Sequence, residues 1–247
     1  MAVKKDYVSL QGKFYLSEIV NGVTGAMRRI GNVPEFEIEI SADQFEHQES
    51  ESGERTTDYV LVKTTGVKFK GQLEKVDEEN LKYILSGMQV EVPSVVMTDE
   101  SLGVVKVDQE IKLNGYNLSQ VSFKAGATTI ATDKYILDAV FGTVIFTEAP
   151  TEPVLATYTT GVVKHTTIAS SFDKEYELFF KGINTATGDN WAVRLWRTKK
   201  SPETTFPLIH EELGKYEISG QALSDTSKAV DPSLGLYGHT VIIPHTV

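Results

Sequence analysis

Five histidines (His47, His165, His210, His239, His245) and no cysteine are the residues to weigh first for metal or nucleophilic chemistry. The histidines share no ligand spacing. His210-Glu211-Glu212-Leu213 opens like a zinc-protease helix, but position 214 is Gly, so no second imidazole follows one turn on. Without cysteine there is no thiolate zinc site, iron–sulfur cluster, cysteine nucleophile or disulfide. The Gly-rich phosphate loops, the nucleophile-elbow serine and the EF-hand pattern are also missing. Asp133 and Asp138 bracket Tyr135-Ile-Leu, where turn positions at strand ends suit them better than a glycosidase pair. No catalytic residue, metal ligand or cofactor-binding residue is assigned, and the chain is not expected to be an enzyme.

What remains is charge, and it is uneven. Lys plus Arg (24) against Asp plus Glu (34) leaves −10. Between residues 35 and 58 stand nine acids and a single base, Arg55. A chain this acidic lacks the basic surface that counterion-release binding to duplex DNA requires. Glu35, Glu37 and Glu39 alternate with Phe36, Ile38 and Ile40. Lys68, Lys70, Gln72 and Glu74 alternate in a second run that suits a partner strand, where glutamates would partly neutralise the lysines.

These side chains need strands to position them. Val, Ile and Thr number 66 against 32 for Leu and Ala, and β-branched residues favour strands. Period-two runs recur at residues 59–64, 67–74, 175–181, 191–197 and 215–223. In the last, Glu217, Ser219 and Gln221 share a face. Trp191 and Trp196 fall on opposite faces of one strand, which makes one of them a candidate for an interface. One helix is expected after Asp77, with Leu81, Ile84 and Leu85 as its stripe and Gly87 ending it in the left-handed region. Residues 93–163 read as short strands with close turns, including one at 104–107. The expected fold is mainly β: an antiparallel sandwich or barrel with one short flanking helix and an inserted small β module. The parent domain would be residues 1–92 and 164–247, and the insertion 93–163. No run of 18 apolar residues spans a membrane, and residues 1–8 lack the apolar core of a secretion signal, so synthesis in the cytoplasm is expected.

Strand periodicity stops after Ile40 and returns at Tyr59, so a polar loop of about 18 residues is expected there, far beyond the usual hairpin. Its acids should meet basic groups on a neighbour, for which Arg28, Arg29, Lys199 and Lys200 are candidates.

Gly12-Lys-Phe-Tyr-Leu, followed by Arg29-Ile-Gly-Asn-Val-Pro-Glu-Phe-Glu-Ile-Glu, resembles the opening of tail tube proteins from long-tailed, non-contractile bacteriophages. The polar run at residues 47–57, the segment Glu79-Asn-Leu-Lys-Tyr-Ile-Leu-Ser-Gly, and Phe180-Lys-Gly-Ile-Asn-Thr-Ala-Thr-Gly follow in the family's order. Gly214-Lys-Tyr-Glu-Ile-Ser-Gly-Gln-Ala-Leu-Ser-Asp is similar to its closing strand. The insertion is similar to small β modules of phage structural proteins. The resemblance implies β-sandwich subunits that form hexameric rings, stacked into a hollow virion tube. That tube holds a tape-measure protein, meets tail tip and terminator proteins, and conducts DNA without binding it. Glu35, Glu37, Glu39, Lys68, Lys70, Gln72 and Glu74 are then the lumen candidates. Glu46, His47, Glu49, Glu51, Glu54, Arg55 and Asp58 are candidates for contact between rings. Alternatives are the inner tube of a related injection or secretion machine, and a carbohydrate-binding or adhesin module.

Overall fold

The computed structural model describes residues 7–51 and 53–245. Residues 1–6, read above for a targeting segment, residues 246–247 and Ser52 of the acidic run lie outside the described residues. The chain is mainly β, with 52% of residues in strands; among the described residues there is one α-helix and every strand pairing is antiparallel. In chain order the elements are β1 (Leu10–Val20), β2 (Val23–Thr24), β3 (Arg28–Arg29), β4 (Glu35–Gln48), β5 (Thr57–Leu73) and the helix α1 (Glu78–Ile84). Then come β6 (Gln89–Val92), β7 (Val96–Gly103), β8 (Glu110–Lys112), β9 (Ser119–Ala125), β10 (Thr128–Thr129), β11 (Tyr135–Asp138), β12 (Thr143–Phe146), β13 (Val154–Thr159) and β14 (Val163–Thr166). β15 (Glu175–Asn184), β16 (Asn190–Lys200), β17 (Tyr216–Leu223) and β18 (Gly238–Ile243) close the chain. Two compact units result, Met1–Met88 with Thr167–Val247, and Gln89–Thr166.

The first unit is a nine-stranded sheet in the order β2-β1-β15-β16-β17-β5-β4, with β3 beside β1 and β18 beside β16. One face carries Phe14, Leu16, Phe69, Leu178, Phe180, Leu195 and Ile218, all buried, and Tyr83 and Ile84 of α1 pack into the same core. The sheet curls until Phe14 of β1 and Phe36 of β4 stand 4.5 Å apart, ring to ring. It does not close into a barrel. A cleft of about 870 Å³, lined by apolar side chains such as Phe14, Phe36 and Phe180 and by polar ones such as Gln11, Asn32 and Glu35, lies between β1 and β4. Two glycines permit this curl by close approach: a Cβ on Gly71 would lie 2.6 Å from the Phe36 ring, and one on Gly220 2.6 Å from the Phe69 ring.

The helix starts as expected. The Asp77 carboxylate accepts the Asn80 N–H (2.9 Å), and Glu78 and Glu79 occupy the positive end of the dipole. Its end is different. Ser86, not Gly87, takes the left-handed backbone (φ 47°), and Gly87 is required because a Cβ there would meet the Thr167 carbonyl at 1.8 Å. Lys200 reaches the helix end, donating to the Ile84 carbonyl (2.5 Å) and the Ser86 hydroxyl (3.0 Å), and burial pushes its ammonium down to about 8.

Asn80, fully buried, ties the helix to the sheet. Its amide donates to the carbonyls of Ile30 and Lys75 (both 2.8 Å), and its oxygen accepts from Arg28 (2.6 Å). Asn80→Ala strands those partners, so a loss of about 2–3 kcal/mol is expected. The measurement is a lowered urea midpoint at unchanged slope. A midpoint equal to wild type would mean that water replaces the amide.

In the second unit, the sheets β10-β9-β13-β7 and β11-β12-β8 share a core. Phe123 of β9 meets Tyr135 of β11 (4.7 Å) and Phe146 of β12 (5.4 Å) edge to face. The strand expected at 104–107 is absent. β7 lies earlier, and Val105 is instead buried (3%) within a loop, which explains its apolar character. β6 and β14 form the ribbon by which the chain enters and leaves. Next to that ribbon, Met88 N donates to the Thr167 hydroxyl (2.8 Å) and Thr167 N to the Met88 carbonyl (2.9 Å). A short Gly/Ser link in place of Gln89–Thr166 is therefore expected to leave the first unit folded, with a cooperative melt and β-type circular dichroism. An insoluble product would show that strands of the second unit complete the first.

Candidate assembly surfaces

The most unusual element is the β4–β5 hairpin. Strands of 14 and 17 residues pair from Glu35↔Gln72 out to Gln48↔Thr57. Only the base, residues 67–73, also pairs with β17. Beyond it the Tyr237 hydroxyl donates to the Thr65 carbonyl (2.8 Å), and from there outward the hairpin stands as a two-stranded arm. The 18-residue loop expected from the sequence is thus corrected: β4 continues to Gln48, β5 begins at Thr57, and only residues 49–56 form the turn. Glu46, His47 and Asp58 are strand residues, whereas Glu49, Glu51, Glu54 and Arg55 sit in the turn. Apolar alternation faded because the arm buries neither face, so no core selects for it. Cross-strand contacts hold the register instead: Thr64 donates to Asp43 (2.9 Å), His47 pairs with Asp58 (2.6 Å), and the Lys63 ammonium lies 5.0 Å from the Phe45 ring centre.

A bulge between Asp43 and Gln44 shifts the partner strand by one residue. It places Phe45, His47, Tyr59 and Leu61 together on the face that carries Glu35, Glu37 and Glu39 at the arm's base. Phe45, Tyr59 and Leu61 are 46%, 58% and 45% exposed. The outer edge of β4 has no partner strand among the described residues.

The sheet face at the arm's base is polar throughout. Glu37 lies opposite Lys70 and Glu39 opposite Lys68, and Gln72 donates to Glu35 (2.9 Å). The ion pair made by Lys70 is with Glu217 of β17 (3.7 Å), on the strand at its other side. Glu74 does not belong to this face. It follows the end of β5, where its carboxylate accepts from Asn32 (2.5 Å). The face also extends further than residues 35–74 disclose, because Glu217, Ser219 and Gln221 stand opposite Gln72, Lys70 and Lys68, with Lys199 beyond Gln221. Their shared parity was visible in residues 215–223. The adjacency of β17 to β5 was not.

Basic groups proposed to meet the arm's acids are mostly engaged at home. Arg28 bonds Asn80 and lies 3.7 Å from Asp77, Lys199 lies 3.6 Å from Asp173, and Lys200 is consumed at the helix end. Arg29 is exposed. Neither tryptophan is displayed: Trp191 packs on the core, and Trp196 is buried with its N–H donating to Gly235 (3.0 Å). Arg194 and Arg197 near it are bidentate with Glu177 and Glu175. Asp138 accepts the N–H groups of Val140 and Phe141 (both 3.0 Å), a turn-forming role. His210 sits in the loop between β16 and β17, 3.2 Å from the Tyr216 hydroxyl. Among the described residues no three His, Asp or Glu side chains gather as metal ligands, and no helix is long and apolar enough to cross a membrane.

The model of one protein family matches residues 7–241; it is described as protein of unknown function UCP028589. No curated protein matches the chain.

Proposed function

The chain belongs to the family of unknown function UCP028589, and from that premise we propose that it is the structural subunit of a phage tail tube. The observation that carries this reading is the β4–β5 arm with the open edge of β4 at its base. A long edge strand without proline or cover templates pairing with another chain, and monomeric proteins blunt such edges. Here it is 14 residues long, and its outer half belongs to an arm exposed on both faces. A second copy satisfies the edge, and repetition by rotation closes a ring. The polar face of β4, β5 and β17 then lines the channel. Its Glu35, Glu37, Glu39 and Glu217 leave the lysines outnumbered, so DNA passes without being held.

The arm supplies contact between rings through the exposed Phe45, Tyr59 and Leu61 on its strands and the acids of its turn. The subunit acts without catalysis. It is made in the host cytoplasm and resides in the virion, with the tape-measure protein inside the tube and tip and terminator proteins at its ends. Negative-stain microscopy of the concentrated protein tests this, with rings or tubes as the expected result. A chain that stays monomeric at every concentration and binds glycans would replace the reading with that of an adhesin module.

A further inference from the structure

The 15 residues joining β16 to β17, 201–215, form an unusually long hairpin connection. Its base is anchored: Ser201 N donates to the Ser219 carbonyl (2.8 Å), and Phe206 stacks on Tyr216 (4.8 Å between centroids). Its far part is not covered. Leu208, Ile209 and Leu213 are 83%, 92% and 85% exposed, beside Glu211 and Glu212. Three large aliphatic side chains thus stand in water on an anchored, acidic loop, the kind of exposed apolar group that marks contact sites.

A complementary surface exists on the same unit. On the face of the sheet away from the core, Lys13 of β1 lies directly opposite Lys181 of β15. Both are exposed, and neither forms an ion pair among the described residues. Like charges so placed repel in the free subunit, and acids from elsewhere would relieve them. Beside them on this face lie Ile183 on β15 with Val241 and Ile243 on β18, 42%, 40% and 50% exposed. The patch is apolar and basic where the loop is apolar and acidic.

The two cannot meet within one chain. The loop leaves the Lys200 end of β16, whereas the patch flanks its Asn190 end, ten residues and about 33 Å away. We propose that residues 208–213 of one copy dock on the Lys13–Lys181 face of the next, a head-to-tail contact between non-identical surfaces. It rests on the reading of the chain as self-assembling, and names a contact distinct from the β4 edge and the arm.

The lack of cysteine makes the test specific. Chains carrying Leu213→Cys and Ile183→Cys are mixed in equal amounts under assembly conditions and oxidised, and a disulfide-linked heterodimer is expected. Glu211→Lys with Glu212→Lys, or Lys13→Glu with Lys181→Glu, should each raise the concentration needed for assembly at least tenfold. All four changes together should bring it back to within about threefold of wild type. Cross-links between two Leu213→Cys chains would overturn the proposal in favour of a two-fold contact. Wild-type tubes with neither the mixed cross-link nor any effect of charge reversal would overturn the contact while leaving self-assembly intact. A wild-type chain that stays monomeric would overturn both.

Discussion

A chain in which Asp43 is joined to Thr64 through an Asn-Gly turn is expected to fold with its melting temperature within about 3 °C of wild type and to form no tubes. The two residues are direct partners, so a two-residue turn closes the shortened hairpin in register. Every described residue removed is exposed or half-buried, and none belongs to the core, so little stability should be lost. Assembly is another matter. Phe45, Tyr59 and Leu61 share one face of the arm, and full burial of a large apolar side chain contributes about 1.5–3 kcal/mol. Losing three such groups at each contact should raise the concentration for tube formation by well over a hundredfold. Microscopy and sedimentation read the outcome. Tubes at the wild-type concentration would assign stacking to other surfaces, the loop at 201–215 first among them.

Tubes of the variant Glu37→Lys with Glu39→Lys are expected to retain duplex DNA at about 50 mM salt and release it by about 200 mM, whereas wild-type tubes retain none. The two changes shift each chain by four units toward positive, on a face where Lys70 and Lys68 already stand opposite the two positions. Binding of phosphates by the new lysines weakens steeply with salt, because it is driven by counterion release. The cost in stability is a few tenths of a kcal/mol per like-charged pair, since the strands are exposed and screened. DNA passage through the variant should slow most at low salt. Assembled variant tubes whose DNA passage and retention match wild type would place this face on the outside of the tube.

The alternation of Glu35, Glu37 and Glu39 with Phe36 and Ile38 was readable because side-chain direction in a strand follows from local backbone geometry alone. The same holds for the Asp77 cap, whose partner is three residues away, and for the β-rich class, which rests on the stiffness of Val, Ile and Thr. The signal failed where no core stood behind it. Residues 41–48 continue β4 with both faces in water, so the hydrophobic pattern that announces a strand had nothing to encode. It failed again where the decisive neighbour was distant in sequence. Gly87 looked like a helix stop, yet its need for Gly comes from the Thr167 carbonyl, 80 residues on. Lys199 and Lys200 looked equally free, and only packing against α1 separates the buried one from its neighbour. Glu217, Ser219 and Gln221 joined the polar face only once β17 was seen to pair with β5, about 150 residues earlier. Local preferences act over a few residues and leave their mark in the order of the chain. Pairing between remote strands is chosen by the total burial and hydrogen bonding of the finished sheet, which no single segment carries.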